Sequence, residues 1–297
     1  MHRFIPIHKN RNTHILVTQY NWPIEEYLKG HALIVYINQF EDIQSIRRHI
    51  DDTTIINGYV YVDKYASLET FEIKPELRGV PLILYINRLG QYREVYQKLE
   101  ELKRMNVVIV FTGSENTACT DAQIVASLGI HTGIALTPES QLSDSVLDLM
   151  TYAFYSTVPH AEIEPFATIE RYYDGESYVS PNMANFVNPN RYIHVDKQHH
   201  LAFSKSELEQ NHYFSDNLEI LRDAKLQDAI DVKEREWQKM FIDNHPCTFC
   251  PAFRICSGFF ASKHKEGRCR EVMLEMLNAI EFQKTKTQKN HLGICQI

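Results

Sequence analysis

Three apolar runs at near-regular spacing limit what this chain can fold into more than any other feature. Residues 80–86 (VPLILYI), 107–111 (VVIVF) and 131–136 each read as a buried β-strand, and each is followed by a segment of helical periodicity. Residues 91–105 place Tyr92, Val95, Tyr96, Leu99 and Leu102 on one helical face. Ala122, Ile124, Val125 and Leu128 mark a second helix stopped by Gly129, and residues 142–155 a third. An earlier pair repeats the pattern: the run 31–37 precedes a segment with Phe40, Ile43, Ile46 and Ile50. A strand that is apolar throughout has no wet face, so helices must cover both sides of its sheet. β–α–β–α order then means a parallel sheet. At about 30 residues per β/α unit, residues 1–165 have room for about five units. The expectation is an α/β fold: a small doubly wound parallel sheet or an incomplete (β/α) barrel.

The pattern changes after Pro165. Residues 171–200 are rich in Tyr, Asn, Pro and His. Tyr192-Ile193-His194-Val195 and Leu201-Ala202-Phe203, separated by Asp196-Lys197-Gln198, predict a hairpin. Residues 218–230 and 232–241 have helical patterns, and an amphipathic helix over about 271–282 precedes a polar tail. Two domains are therefore expected, 1–165 and 166–297.

Composition narrows the function. The chain has 297 residues, 44% hydrophobic and 23% charged, which is ordinary globular usage. A formal net charge of −7 offers no electrostatic footprint for nucleic acid. The start, Met1-His2-Arg3-Phe4-Ile5-Pro6, has no apolar run of signal-peptide length, and no stretch reaches the roughly 18–20 apolar residues of a membrane span. A cytoplasmic protein is expected, with no membrane and no nucleic-acid partner. In that compartment clustered cysteines mean metal or redox chemistry rather than disulfides.

Four of the six cysteines fall in one such cluster. Cys247, Cys250, Cys256 and Cys269 are spaced C-x2-C-x5-C-x12-C. The first pair can present two thiolates from one tight loop, and the other two can close a site around it. Pro246, Pro251, Gly258 and Gly267 supply the turns. Thiolates suit zinc or an iron–sulfur cluster, and composition does not choose between them. The x2-then-x5 spacing departs from the paired C-x2-C knuckles usual for zinc. Cys119 reads as a lone buried cysteine, and Cys295 lies in the tail.

The loop Cys247-Thr248-Phe249-Cys250-Pro251-Ala252-Phe253-Arg254-Ile255-Cys256-Ser257-Gly258 resembles the signature of SPASM domains, the auxiliary-cluster modules of many radical SAM enzymes that mature peptides. The resemblance covers roughly residues 185–280, including the hairpin that precedes the loop. It implies one [4Fe–4S] cluster held by Cys247, Cys250, Cys256 and Cys269. A full SPASM domain holds a second cluster through a cysteine four positions after the third, and Phe260 stands there. The β/α order of the N-terminal half is similar to a radical SAM barrel, yet residues 1–118 contain no cysteine. The C-x3-C-x2-C set that would open one iron to S-adenosylmethionine is missing, so reductive cleavage of that cofactor is excluded on ligand chemistry. The chain resembles a degenerate radical SAM/SPASM protein. That implies an auxiliary, non-catalytic role in peptide modification, with a peptide substrate, an ATP-grasp ligase or a radical SAM maturase as partner.

The remaining candidates are weaker. His194, His199 and His200 could form a metal patch but read as exposed hairpin histidines. Thr112-Gly113-Ser114 after a strand could meet a phosphate, but it has neither a Walker nor a G-x-G-x-x-G pattern. Glu162, Glu164, Glu170 and Arg171 read as a solvated face, and the aromatic stretch 172–186 as packing or a peptide groove. No Ser–His–Asp signature is present, and no catalytic residue is assigned. The alternative function is an enzyme working through the N-terminal α/β domain, with a structural four-cysteine zinc site.

Overall fold

Strands form where the sequence is apolar enough to be covered on both faces. The computed structural model describes residues 14–19 and 28–294, so the start of the chain and Cys295 lie outside the described residues. Nine strands are present among the described residues: β1 (Ile15–Gln19), β2 (Ala32–Ile37), β3 (Ile55–Ser67), β4 (Leu82–Arg88), β5 (Val107–Phe111), β6 (Thr132–Ile134), β7 (Ile163–Glu164), β8 (Tyr192–Val195) and β9 (Leu201–Ala202). The chain is α/β with a mostly parallel sheet. No described helix is long and apolar enough to cross a membrane.

By compactness the chain divides into two units, each made of two segments. The first unit is Met1–Val110 with Asn185–Gln238; the second is Phe111–Ala184 with Lys239–Ile297. Residue 165 falls inside the second unit.

In the first unit the strands lie in the order β5-β4-β3-β2-β1-β8-β9. β1 pairs parallel with β2 on one side and with β8 on the other, Ile15 opposite both Ala32 and Tyr192. β2 with β3 and β3 with β4 are also parallel, while β8 and β9 form the antiparallel hairpin expected from their sequences. Leu16, Leu33, Val60, Leu82 and Leu84 are fully buried, as continuous apolar strands demand. The register between β2 and β3 shifts after Leu33, and Asn57 sits at that irregularity. The expected helix over 91–105 is two short helices, Tyr92–Gln97 and Leu99–Arg104. Val95, Leu99 and Leu102 are buried, but Tyr92 and Tyr96 face outward with their rings 5.9 Å apart. A phenol buried without a partner is costly, and the aliphatic residues suffice for the inner face.

In the second unit β6 pairs parallel with β7, Gly133 opposite Glu164. The helices Glu115–Ser127 and Asp144–Tyr155 bury Ala118, Ala122, Val125, Val146, Leu149 and Met150. Glu164 departs from the expected solvated face. It is half-buried, its carboxylate accepts the Thr168 N–H at 3.1 Å, and desolvation raises its pKa. The aromatic stretch packs: Tyr173 is buried with its hydroxyl donating to Glu281 at 3.2 Å, and Tyr178 meets Phe253 edge-on. The final helix is longer than its pattern suggested, Arg268–Ile294, with Val272, Met273, Met276, Ala279 and Ile280 buried.

Candidate metal centre

The cysteine segment lies wholly in the second unit and is built from turns too short to be stable alone. Pro246–Phe249 forms a single 3-10 turn. Its first N–H, that of Cys247, is capped by His245 Nδ1 at 3.2 Å, and the Thr248 hydroxyl donates to the His245 carbonyl at 2.7 Å. The Cys250 N–H closes on the Cys247 carbonyl at 3.0 Å, so two residues separate thiols that share one turn. A four-residue helix, Phe253–Cys256, then ends at two successive left-handed residues, Ser257 (φ 48°) and Gly258 (φ 75°). Gly258 has little choice: besides its φ, a Cβ there would lie 2.5 Å from the Met240 thioether.

This reversal turns the chain back under Cys256, whose sulfur accepts the backbone N–H groups of Phe259 and Phe260. Gly267 (φ 73°) precedes the last helix, which brings Cys269 into its first turn. The loop is strapped to the segment before it. The Val179 N–H donates to the Arg254 carbonyl at 2.7 Å, Ser257 Oγ donates to the Val179 carbonyl at 2.8 Å, and the Arg254 guanidinium reaches the Gly175 carbonyl.

All four cysteines of the quartet line one cavity, with Phe253, Phe260, Met273, Gly258 and Arg270 completing the wall. Cys247 and Cys269 are buried and Cys250 and Cys256 half-buried, all as free thiols. Phe260, where a second-cluster ligand would stand, is fully buried. The free space amounts to about 20 Å³, room for one water-sized occupant. Among the described residues no three His, Cys, Asp or Glu side chains converge closely enough to hold a metal ion. A tetrahedral zinc–thiolate site needs its sulfurs about 3.8 Å apart, from Zn–S bonds of ~2.3 Å. The cysteines therefore share a cavity without closing on a single point.

Two of the thiols, Cys247 and Cys256, are held protonated in this form. Burial, then the nearby Cys269 and Cys250, push Cys247 up to about 11. Burial pushes Cys256 up to about 12 against the opposing pull of its two N–H bonds. A thiolate here needs a compensating cation, which is what a metal group supplies. By donor type, though not by spacing, the set suits a thiolate-ligated metal group: four sulfurs on one cavity, N–H bonds to one of them, and a wall that is apolar apart from Arg270.

The other candidates are placed elsewhere. Cys119 is buried in the helix Glu115–Ser127, where burial and the Glu115 and Asp148 carboxylates push it up to about 12; it does not line the cavity. The three histidines do not form a patch. His194 is not exposed as expected: it is 2% exposed, faces the Phe186 carbonyl at 3.2 Å, and burial drives it down to about 4. His200 pairs with Asp196 at 2.9 Å and stacks on Tyr213, and His199 (φ 69°) occupies the hairpin turn. Ser114 precedes the helix Glu115–Ser127 and donates to Thr117 at 3.0 Å. The carboxylate of the next residue, Glu115, accepts the N–H groups of Gln141, Leu142 and Ser143. Compared with family models, curated proteins and solved structures, the chain gave no match.

Proposed function

We propose that the chain is an auxiliary iron–sulfur protein of peptide modification, without autonomous radical SAM activity. In this reading Cys247, Cys250, Cys256 and Cys269 hold one [4Fe–4S] cluster, and the protein recognises a peptide or a partner enzyme such as an ATP-grasp ligase or a radical SAM maturase. The reading is carried by the lining of a single cavity by all four cysteines of the quartet. A cluster with four protein ligands has no open iron, so it supplies cross-linking or electron transfer rather than Lewis-acid chemistry on a substrate. The residues around it then have plain roles. The N–H groups of Phe259 and Phe260 stabilise sulfur charge, while Phe253, Phe260 and Met273 keep water out.

A macromolecular partner is supported by Ile242 and Phe249, which are 78% and 77% exposed and belong to the same short module. Exposed apolar side chains mark a contact site where they form one contiguous patch. The second reading, a structural zinc site in an enzyme acting through the α/β domain, draws support from the small free volume, since a cubane is larger than 20 Å³. Metal analysis separates the two. Protein prepared without oxygen should contain about four iron and four sulfide per chain. Stoichiometric zinc without labile sulfide, even after anaerobic reconstitution, sinks the cluster reading.

A further inference from the structure

The strand order of the first unit contains one reversal. From β1 the chain steps outward through β2, β3, β4 and β5, then returns with β8 to the other side of β1. Neighbouring connections that leave in opposite directions part at the carboxyl ends of their strands and leave a crevice there. At this reversal the structure holds a cavity of about 400 Å³, within the roughly 300–1,000 Å³ range of small-molecule sites. Val17, Thr18 and Gln19 from the end of β1, Tyr36 from the end of β2, and His194 and Val195 from the end of β8 form its floor and walls. The hairpin residues Asp196, Lys197 and Gln198 and the helix Lys205–Glu209 stand around it.

The charges here are not equally free. Asp196 is used by its own turn: it accepts the N–H groups of Gln198 and His200 and pairs with the His200 ring. Glu209, four residues on in the helix that carries Lys205, forms an exposed ion pair with its ammonium at 3.9 Å, a contact of little strength in water. Lys205 Nζ is 5.0 Å from the centre of the Tyr36 ring, and Lys197 has no ion-pair partner among the described residues. The lining charge without an ion-pair partner among the described residues is therefore the ammonium of Lys197, with Lys205 held only by its weak exposed pair. His194 adds none, since its ring is neutral and engaged with Phe186. Thr18 and Tyr36 add hydroxyls. Burial, reinforced by Glu209, pushes the Tyr36 phenol up to about 12, so it remains a proton donor at neutral pH.

We propose that this cavity binds a small anion, a carboxylate or a phosphate, through Lys197, Lys205 and the hydroxyls of Thr18 and Tyr36. The site belongs to the first unit and the cysteine quartet to the second, so neither conclusion depends on the other.

The test is calorimetric titration of the full chain with glutarate, with inorganic phosphate, and with neutral glutaramide as the uncharged match to glutarate. Saturable binding of one of the anions and none of glutaramide is expected, and which anion binds identifies the ligand chemistry. Lys197→Gln and Lys205→Gln should each weaken that binding about tenfold, the size of one charge-assisted hydrogen bond. Both side chains are exposed, so the variants should fold, and an unchanged melting temperature verifies that. Absence of saturable binding for both anions at millimolar concentration overturns the proposal. So does binding that neither substitution weakens.

Discussion

Ser257 donates its hydroxyl to the carbonyl of Val179 at 2.8 Å, tying the residue after the third cysteine to a segment far earlier in the chain. Ser257 makes this bond from a left-handed conformation that costs a non-glycine residue about 1 kcal/mol or more. Ser257→Ala loses the bond and keeps the backbone cost, so a loss of about 1 kcal/mol in stability is expected. Ser257→Gly loses the same bond but relieves the backbone and should cost less. Denaturant unfolding of the two variants side by side checks the order, and equal losses would remove the backbone contribution.

The quartet should behave as a set. Cys247→Ala, Cys250→Ala, Cys256→Ala and Cys269→Ala should each lose bound metal and lower the melting temperature, because ligation and folding of a small metal module are coupled. Cys119→Ala and Cys295→Ala should retain metal. A quartet variant with full metal content, measured by elemental analysis, contradicts the ligand assignment.

Gly133 and Glu164 define how closely β6 and β7 can approach. A Cβ on Gly133 would fall 2.7 Å from both the Cβ and the carbonyl oxygen of Glu164. Backbone cannot retreat as a flexible side chain can, so Gly133→Ala should cost about 1–3 kcal/mol, the usual range for overpacking. Thermal unfolding measures it, and an unchanged midpoint would show that the pair can separate cheaply.

Asn57 is 2% exposed, and neither its side-chain oxygen nor its nitrogen has a hydrogen-bond partner. A buried amide without partners costs about 1–3 kcal/mol. Asn57→Leu, which keeps the branching and heavy-atom count of the side chain and removes the unpartnered amide, should be neutral or stabilise by about 1 kcal/mol. A marked destabilisation would mean that the amide has a partner such as an ordered water.

His194 gives a pH signature. Its folded pKa of about 4 lies below the unfolded value near 6.5. Between those values the unfolded chain binds more protons, so stability rises with pH across this window and falls on acidification, by roughly 3 kcal/mol at most. His194→Gln keeps an N–H donor for the Phe186 carbonyl and should flatten that part of the profile. An identical pH profile in the variant assigns the acid sensitivity to other groups.

The sheet was legible where burial on both faces left unbroken apolar runs. β5 coincides with VVIVF, β2 falls within the run 31–37, and the β8–β9 hairpin follows its turn residues. β3 was not legible. Its polar Asn57, Asp63 and Lys64 interrupt the pattern, although Tyr59 and Val60 are fully buried. Nor could local pattern reveal that β8 lies beside β1, because register between distant strands is decided by tertiary packing. The quartet could be found from spacing, whereas the switch-point cavity could not. Its lysines become significant only once strand order brings Lys197 and Lys205 to one cavity with Tyr36 and Thr18.

The position of β1 has a consequence for how the chain acquires its structure. One edge of β1 is satisfied by β2, close in sequence, but the other waits for residues 192–195. During synthesis the ribosome must complete more than half of the chain before that edge is closed. Until then β1 offers a row of unpaired amides and carbonyls, the surface on which strands of other chains add. Contacts of such sequence separation also slow folding. Refolding should therefore be slower than for a sheet of purely sequential neighbours, and the nascent chain should be most prone to aggregate before β8 emerges.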